Sequence, residues 1–395
     1  MHDMEMNVVR LGHPWAGAEP IRGEYNQTFL DIMNEQTKLA EDHRIYVLVD
    51  VHQDKLARQF CGHGVPDWFV EKDWMPNSSR SPAPLTKPCT TDSGGFPSPT
   101  AQCEQFPWEM HYGTYAASNA FGRLYSNHDG LGMHSQPNGR GYNLLNEPWA
   151  GDVWANPLLW GFGVADHMVL EEVWNRAAKE IHKVENDTLI WFEGTAWDIK
   201  SGFNDVPLGD GSKTVHSFHY YHPPQAWSIW NTLKNRDIDN QRLKTAGVFT
   251  ELTFWYRDGS EPKDLADAMR ATDAHMVSWM GWGYEDLYDS SGQPKPELAK
   301  QNSRPYPAAV AGKAYSYDFE ELLGTFTLKF RSDPDMDAPT EIIMPPSTFP
   351  KKPFIAIEPE GSMEEYQKDN RTLALFTSKS LQTPMDIKVI IQVRK

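Results

Sequence analysis

The chain has 395 residues, a formal net charge of −17, 15 Trp and three Cys. Such acidity excludes nucleic acid as the natural partner, because binding phosphates needs a basic stripe and none is present. No run reaches the roughly 20 apolar residues that span a bilayer, and the mean hydropathy is −0.60, so contact at a membrane surface is the most a lipid partner would require.

In chain order, short β-like runs alternate with helical stretches from residue 6 to about residue 300, the sign of a parallel α/β architecture. Residues 7–11 read as a strand, 28–41 as a helix and 45–51 as the next strand. Further strands are predicted at 142–145, 189–192, 215–221, 248–250 and 276–282, with a helix over 168–183. Residues 53–140 form a long excursion rich in Pro, Gly, Ser and Asn, and a structureless loop of this length means either a binding loop or a wrong assignment. Cys61, Cys89 and Cys103 all lie there, and one disulfide plus one free thiol is expected to fasten it. After residue 300 the pattern changes to alternating β-like runs at 325–330, 354–357 and 387–393, which predicts a small β-sandwich. The domains are accordingly 1–305, a (β/α)8 TIM barrel, and 306–395, the sandwich.

Barrel enzymes place their chemistry at the C-terminal ends of the strands, so polar residues there are the candidates. In Tyr-Val-Leu-Val-Asp-Val-His-Gln-Asp, alternation sets Asp50, His52 and Asp54 on one face. Alternation in His-Ser-Phe-His-Tyr-Tyr-His pairs His219 with Tyr221 and sends His216 and His222 to the other face, which disfavours a three-histidine metal site. Glycoside hydrolysis needs two carboxyl groups flanking the sugar bond. Glu147, Glu193 and Glu251 each end a short apolar run, and spacing alone does not choose among them.

These stretches resemble glycoside hydrolase family 5, and within it the endoglycoceramidase-like branch. The resemblance rests on Asn-Val-Val-Arg-Leu-Gly, Asp-Val-His-Gln-Asp, Cys-Gly-His-Gly-Val-Pro-Asp-Trp, Leu-Leu-Asn-Glu-Pro-Trp, His-Tyr-Tyr and Phe-Thr-Glu, in that order. It implies that Glu147 is the acid/base and Glu251 the nucleophile of a retaining β-glycosidase, with the two carboxyl groups about 5 to 5.5 Å apart. It further implies that Asn146 binds the sugar 2-hydroxyl, that His219 and Tyr221 shape the site, and that Arg10 supports Glu251. His52 and Asp54 would hold the sugar, Trp282 would stack on it, and Glu193 would support the site or the fold. No cofactor or metal is implied. The partner is a glycosphingolipid or another β-glucoside, the chain a monomer, and the location secreted or lysosomal, which four Asn-X-Ser/Thr sequons at Asn26, Asn77, Asn186 and Asn370 fit. The apolar groove for the lipid would be lined by Trp68, Phe69, Trp74, Phe106 and Trp108. Two other readings stay open: a steryl or other β-glucosidase, and an inactive glycolipid-binding protein.

The resemblance also predicts a barrel lacking strand one and the helix between strands three and four, because few residues precede Asn7 and only ten separate Gly130 from Gly141.

Overall fold

A computed structural model describes residues 4–70, 80–126, 141–196, 200–221, 228–253 and 262–394. The strands β1 (Val8–Gly12), β2 (Tyr46–Asp50), β3 (Gly141–Asn143), β4 (Leu189–Glu193), β5 (Thr214–Tyr220), β6 (Ala246–Thr253) and β7 (Ser278–Trp282) form one sheet in chain order. Pairing is parallel from β1 to β5, with Val8 against Tyr46, Val49 against Tyr142, Tyr142 against Ile190 and Ile190 against Thr214. Among the described residues, seven strands are one fewer than a closed (β/α)8 barrel holds. The helices are α1 (Trp15–Ala18), α2 (Gln27–Asp42), α3 (Tyr115–Ser126), α4 (Glu171–His182), α5 (Ile229–Leu243), α6 (Pro262–His275) and α7 (Pro296–Asn302).

By contact, the chain divides into two compact units, one made of Val8–Phe218 with Lys234–Val248 and the other of Met1–Asn7, His219–Leu233 and Phe249–Lys395. In the first, β2 is the expected β-branched run, and its Val47 and Leu48 are buried. Helix α2 starts where the Asn26 side chain accepts the Phe29 N–H at 3.2 Å, satisfying one of the unpaired donors of the first turn. Helix α4 lays Trp174 and Ala178 into the core against Ile190 and Phe192 of β4.

The described residues of the excursion from 53 to 140 are more structured than its composition predicts. It contains α3, whose Ala117, Ala120 and Phe121 are fully buried, and several 3-10 turns. A Cys61–Cys103 disulfide spans 42 residues of it and Cys89 is free, as expected. Closing a loop of that length removes chain entropy from the unfolded state, worth about 4 kcal/mol in the entropic account. The rings proposed to line a groove pack against aromatics of the first unit, on α1 and on the loop itself. Phe69 is buried, Trp68 meets Trp15 edge to face at 5.2 Å, Trp108 meets Tyr112 at 5.8 Å and Phe106 meets His111 at 4.9 Å. Trp74 and the ten-residue link 131–140 lie outside the described residues.

The second unit carries the predicted sandwich, built from β8 (Tyr306–Ala309), β9 (Gly312–Glu320), β10 (Thr325–Ser332), β11 (Thr340–Ile343), β12 (Phe354–Glu358), β13 (Met363–Gln367), β14 (Thr372–Thr377) and β15 (Asp386–Gln392). Two four-stranded antiparallel sheets run β12-β15-β10-β9 and β13-β14-β11-β8. Strict alternation explains the layer: Phe326, Leu328 and Phe330 of β10 and Ile387, Val389 and Ile391 of β15 point inward, while Lys329 is exposed. Within this unit Arg304 is buried between α6 and the β9–β10 turn, bonding Asp273 and, at 2.7 Å, Glu321.

Candidate active site

In the first unit, the ends of β2, β3 and β4 bring the sequence-predicted polar residues together. Strand β2 ends at Asp50, so His52 and Asp54 arrive by a turning loop and not by the strand alternation that was expected. The loop closes on itself as an antiparallel bridge, with Asp54 N donating to His63 O at 2.9 Å and His63 N to Asp54 O at 2.7 Å. His52 Nδ1 lies 2.6 Å from Asp50 Oδ2 and its Nε2 lies 3.5 Å from Asp54 Oδ2, which also faces His63 Nε2 at 3.1 Å. His63 belongs to a motif noted in the sequence but had been given no role.

Burial opposes charge on His52, yet the flanking Asp50 and Asp54 carboxylates outweigh it and push its pKa up from 6.5 to about 10. Asp54 is pulled the other way. Burial raises its pKa, but hydrogen bonds from His52 and His63 hold it well below the usual carboxylate range. A folded-state pKa above the unfolded value means that the His52 contribution is complete below about pH 6.5 and lost as pH rises towards 10. The depressed Asp54 contributes above its ordinary value of 3.8, and that share is lost as pH falls below it. Thermal stability should therefore plateau from about pH 4 to 6.5 and decline at alkaline pH by on the order of a few kcal/mol. His52→Asn should flatten that alkaline limb in calorimetric scans, and a wild-type melting temperature that is unchanged between pH 6 and pH 9 would contradict the assignment.

At the end of β3 the chain turns sharply, Glu147 adopting φ 42°, a left-handed conformation uncommon for a residue with a side chain. Three contacts hold it there. Glu147 N donates to Glu193 Oε2 at 2.9 Å, and Gln53 Nε2 donates to the carbonyls of Asn146 at 2.7 Å and Glu147 at 3.0 Å. Glu193, at the end of β4, also accepts Asn143 Nδ2 on Oε1 at 2.7 Å, with Arg10 Nη2 at 3.4 Å. Arg10 further bonds Asn146 Oδ1 at 2.7 Å and Asp50 Oδ1 at 2.9 Å, and Asn146 Nδ2 donates to Gln53 O at 2.9 Å. Every one of these side chains is buried. Sequence reasoning gave no role to Gln53 or Asn143, whose partners are backbone or second carboxylate groups rather than neighbours in a motif.

The second unit holds the other candidates. The Tyr221 hydroxyl donates to Glu251 Oε2, and His219 Nδ1 stands 3.4 Å from the same oxygen. Glu251 sits on β6 and is buried, whereas Trp282, at the end of β7, keeps 43% of its surface exposed and can offer a ring face. Thr253 ends β6, and Glu285 lies in a 3-10 turn after β7.

His216 behaves differently from His219. It is fully buried in the first unit, stacked on Phe192 at 5.0 Å with its Nδ1 3.0 Å from Asn240 Oδ1. Burial and the nearby Arg236 cation lower its pKa to about 3, so it packs there as a neutral ring. His222 lies outside the described residues.

Residues 304–389 match the glycoside hydrolase family 5 C-terminal domain. An endoglycoceramidase of Cyanea nozakii is 34% identical over 361 residues, covering 84% of this chain and 71% of that protein. The chain belongs to the endoglycoceramidase-like branch of glycoside hydrolase family 5. It is a glycoside hydrolase. A second family member, the endoglycoceramidase of Hydra vulgaris, is 34% identical over 355 residues, covering 83% of this chain and 67% of that protein. Among solved structures, the ganglioside GM3 complex of endo-glycoceramidase II from Rhodococcus sp. aligns with a TM-score of 0.74 at 19% identity, over 100% of this chain and 90% of that one. That likeness fixes the fold as a TIM barrel followed by a β-sandwich, in agreement with the expected fold class.

Proposed function

We propose that this glycoside hydrolase cleaves the bond between glycan and ceramide in glycosphingolipids by double displacement, with Glu251 as nucleophile and Glu147 as acid/base. Glu251 attacks the anomeric carbon as the glycosidic bond breaks, and Glu147 gives its proton to the departing ceramide oxygen. Glu147 then takes a proton from water, whose oxygen displaces Glu251 and releases the sugar with its original configuration. The observation that carries the reading is the backbone of Glu147, held in a left-handed turn by Glu193 and Gln53, since strain of this kind is kept where a side chain must be aimed. A buried Glu251 bonded by the Tyr221 hydroxyl supports the nucleophile role.

In this reading Asn146 faces the sugar 2-hydroxyl, His52 and Asp54 bind the sugar, His219 and Tyr221 orient Glu251, Arg10 supports the site and Trp282 stacks on the ring. The glycosphingolipid substrate follows the endoglycoceramidase relatives and the ganglioside-bound neighbour. The enzyme acts as a monomer in a secretory or lysosomal compartment, a location that the Cys61–Cys103 disulfide favours, with residues 1–305 forming the catalytic domain and 306–395 the sandwich. Incubation with glucosylceramide, a longer glycosphingolipid and a steryl glucoside, followed by mass spectrometry, tests the reading. Intact oligosaccharide and free ceramide are expected from the longer lipid. Release from the steryl glucoside alone would favour the β-glucosidase alternative, and glycolipid binding without turnover would favour the binding protein.

A further inference from the structure

The loop that follows β3 carries large apolar groups on the surface of the first unit. Leu158 is 69% exposed, Phe162 72% and Trp160 49%, and no charged residue occurs from Val153 to Ala165 in a chain holding 54 acidic residues. Isolated exposed apolar residues are ordinary, but these form a patch. Trp160 meets Trp149 at 5.6 Å and Trp154 at 6.2 Å, both edge to face, and Trp160 and Leu85 converge on Gly113. The loop is also held firmly. Gly163 and Gly202 pack backbone to backbone, so closely that a Cβ on Gly202 would lie 1.8 Å from Gly163 O.

Beside Phe162 opens a cavity of about 310 Å³ whose lining includes Val164, His167, Lys200, Asn204 and Arg242 and, among the described residues, no carboxylate side chain. Acidic groups border it through its backbone and Arg242, Asp166 accepting Gly202 N at 2.8 Å. Asp239 accepts Ser201 N at 3.0 Å and faces Arg242 Nη2 at 3.4 Å, while Glu171 accepts Asn204 N at 2.8 Å. Lys200 and Arg242 are both exposed. A cationic pocket next to a Trp- and Phe-bearing apolar loop is unexpected on a surface of net charge −17, which a negatively charged bilayer would otherwise repel.

We propose that this patch docks the protein onto an anionic lipid bilayer. Leu158, Trp160 and Phe162 enter the headgroup boundary, and Lys200 with Arg242 takes a lipid phosphate or carboxylate. Apart from Arg242, which lies on α5, the patch occupies the loops following β3 and β4, the strand ends that carry Glu147 and Glu193. Docking there would hold the protein on the surface in which a glycosphingolipid substrate resides. The inference rests on the proposed function for that purpose alone, not for the binding itself.

Sedimentation with glycolipid-free vesicles of phosphatidylcholine, with and without phosphatidylserine, separates the two. Wild type should bind the phosphatidylserine vesicles, less so at high salt. Leu158→Ser with Phe162→Ser should weaken binding at least about tenfold, and Lys200→Glu should abolish the preference for phosphatidylserine, with melting temperatures and hydrolysis of a soluble aryl lactoside unchanged. Failure of wild type to bind either vesicle, or equal binding by the double variant, overturns the proposal. So does a wild-type dimer that the double variant splits without any vesicle binding, since the patch would then serve self-association. Vesicle binding without aryl lactoside hydrolysis would defeat the hydrolase reading and leave docking standing.

Discussion

Glu251→Gln is expected to lower kcat on a glycosphingolipid by about 10⁴-fold or more, because an amide cannot form the glycosyl-enzyme bond on which the two-step route depends. Glu147→Gln should be equally damaging on the natural substrate but not on a dinitrophenyl glycoside, whose leaving group departs without a proton, so that the glycosyl-enzyme forms and then accumulates. Azide should restore turnover to Glu147→Ala and give a glycosyl azide of retained configuration. With Glu251→Ala it should give the opposite anomer, since the small anion then occupies the place of the missing carboxylate. A fluoro-sugar inactivator should label Glu251. Label on Glu193, or azide products of the same anomer from both variants, would reverse the assignment. Both carboxyl groups are buried, and Glu251 receives the Tyr221 hydroxyl, which would hold it in place for attack.

How far the sequence reveals this arrangement depends on which kind of contact carries each part. Strands β2, β4 and β5 are readable as runs of Val, Ile, Phe and Tyr, and the sandwich as period-two alternation, because burial on one or both faces is written directly into those residues. Helix α3 is missed because its buried face is made of Ala116, Ala117 and Ala120, which carry little hydrophobic signal, and because Gly122 reads as a breaker. That glycine is there for close packing, a Cβ on it meeting Asp152 Cβ at 3.0 Å. His52 and Asp54 are identified as functional candidates by the wrong geometry, since the strand ends at Asp50 and a loop bridge to His63 completes the approach. Gln53 and Asn143 carry no signature of this role: the carbonyls and carboxylates to which their amides donate in the site lie some 50 to 94 residues away, and only the folded chain brings them near. The family resemblance supplies the rest, implying that two of three glutamates equivalent by spacing are the pair and the third a support.

That support yields the other large effect. Glu193 is the counter-ion and acceptor at the centre of the first unit's network, taking Glu147 N on one oxygen and Asn143 and Arg10 on the other. Glutamine has the same shape but must point its NH2 at one of these two sets of donors, so at least one hydrogen bond becomes a repulsion and Arg10 loses a negative partner. The backbone of Glu147 would then relax from its left-handed φ, displacing the acid by a fraction of an ångström to an ångström, a shift that can cost about 10²-fold in rate. Glu193→Gln is therefore expected to lower kcat on a glycosphingolipid by about 10²-fold with little change in KM, and to lower stability by about 3 kcal/mol. A purely structural role would reduce activity on every substrate alike. A positioning role acting through Glu147 predicts instead that the dinitrophenyl glycoside loses much less in the glycosylation step, and that the basic limb of the kcat/KM pH profile moves, because that limb reports the free enzyme's acid. Glu193→Asp, which keeps the charge but shortens the reach to Glu147 N, should restore part of the stability and less of the rate. Equal losses on both substrates with an unmoved pH profile would reduce Glu193 to a structural residue.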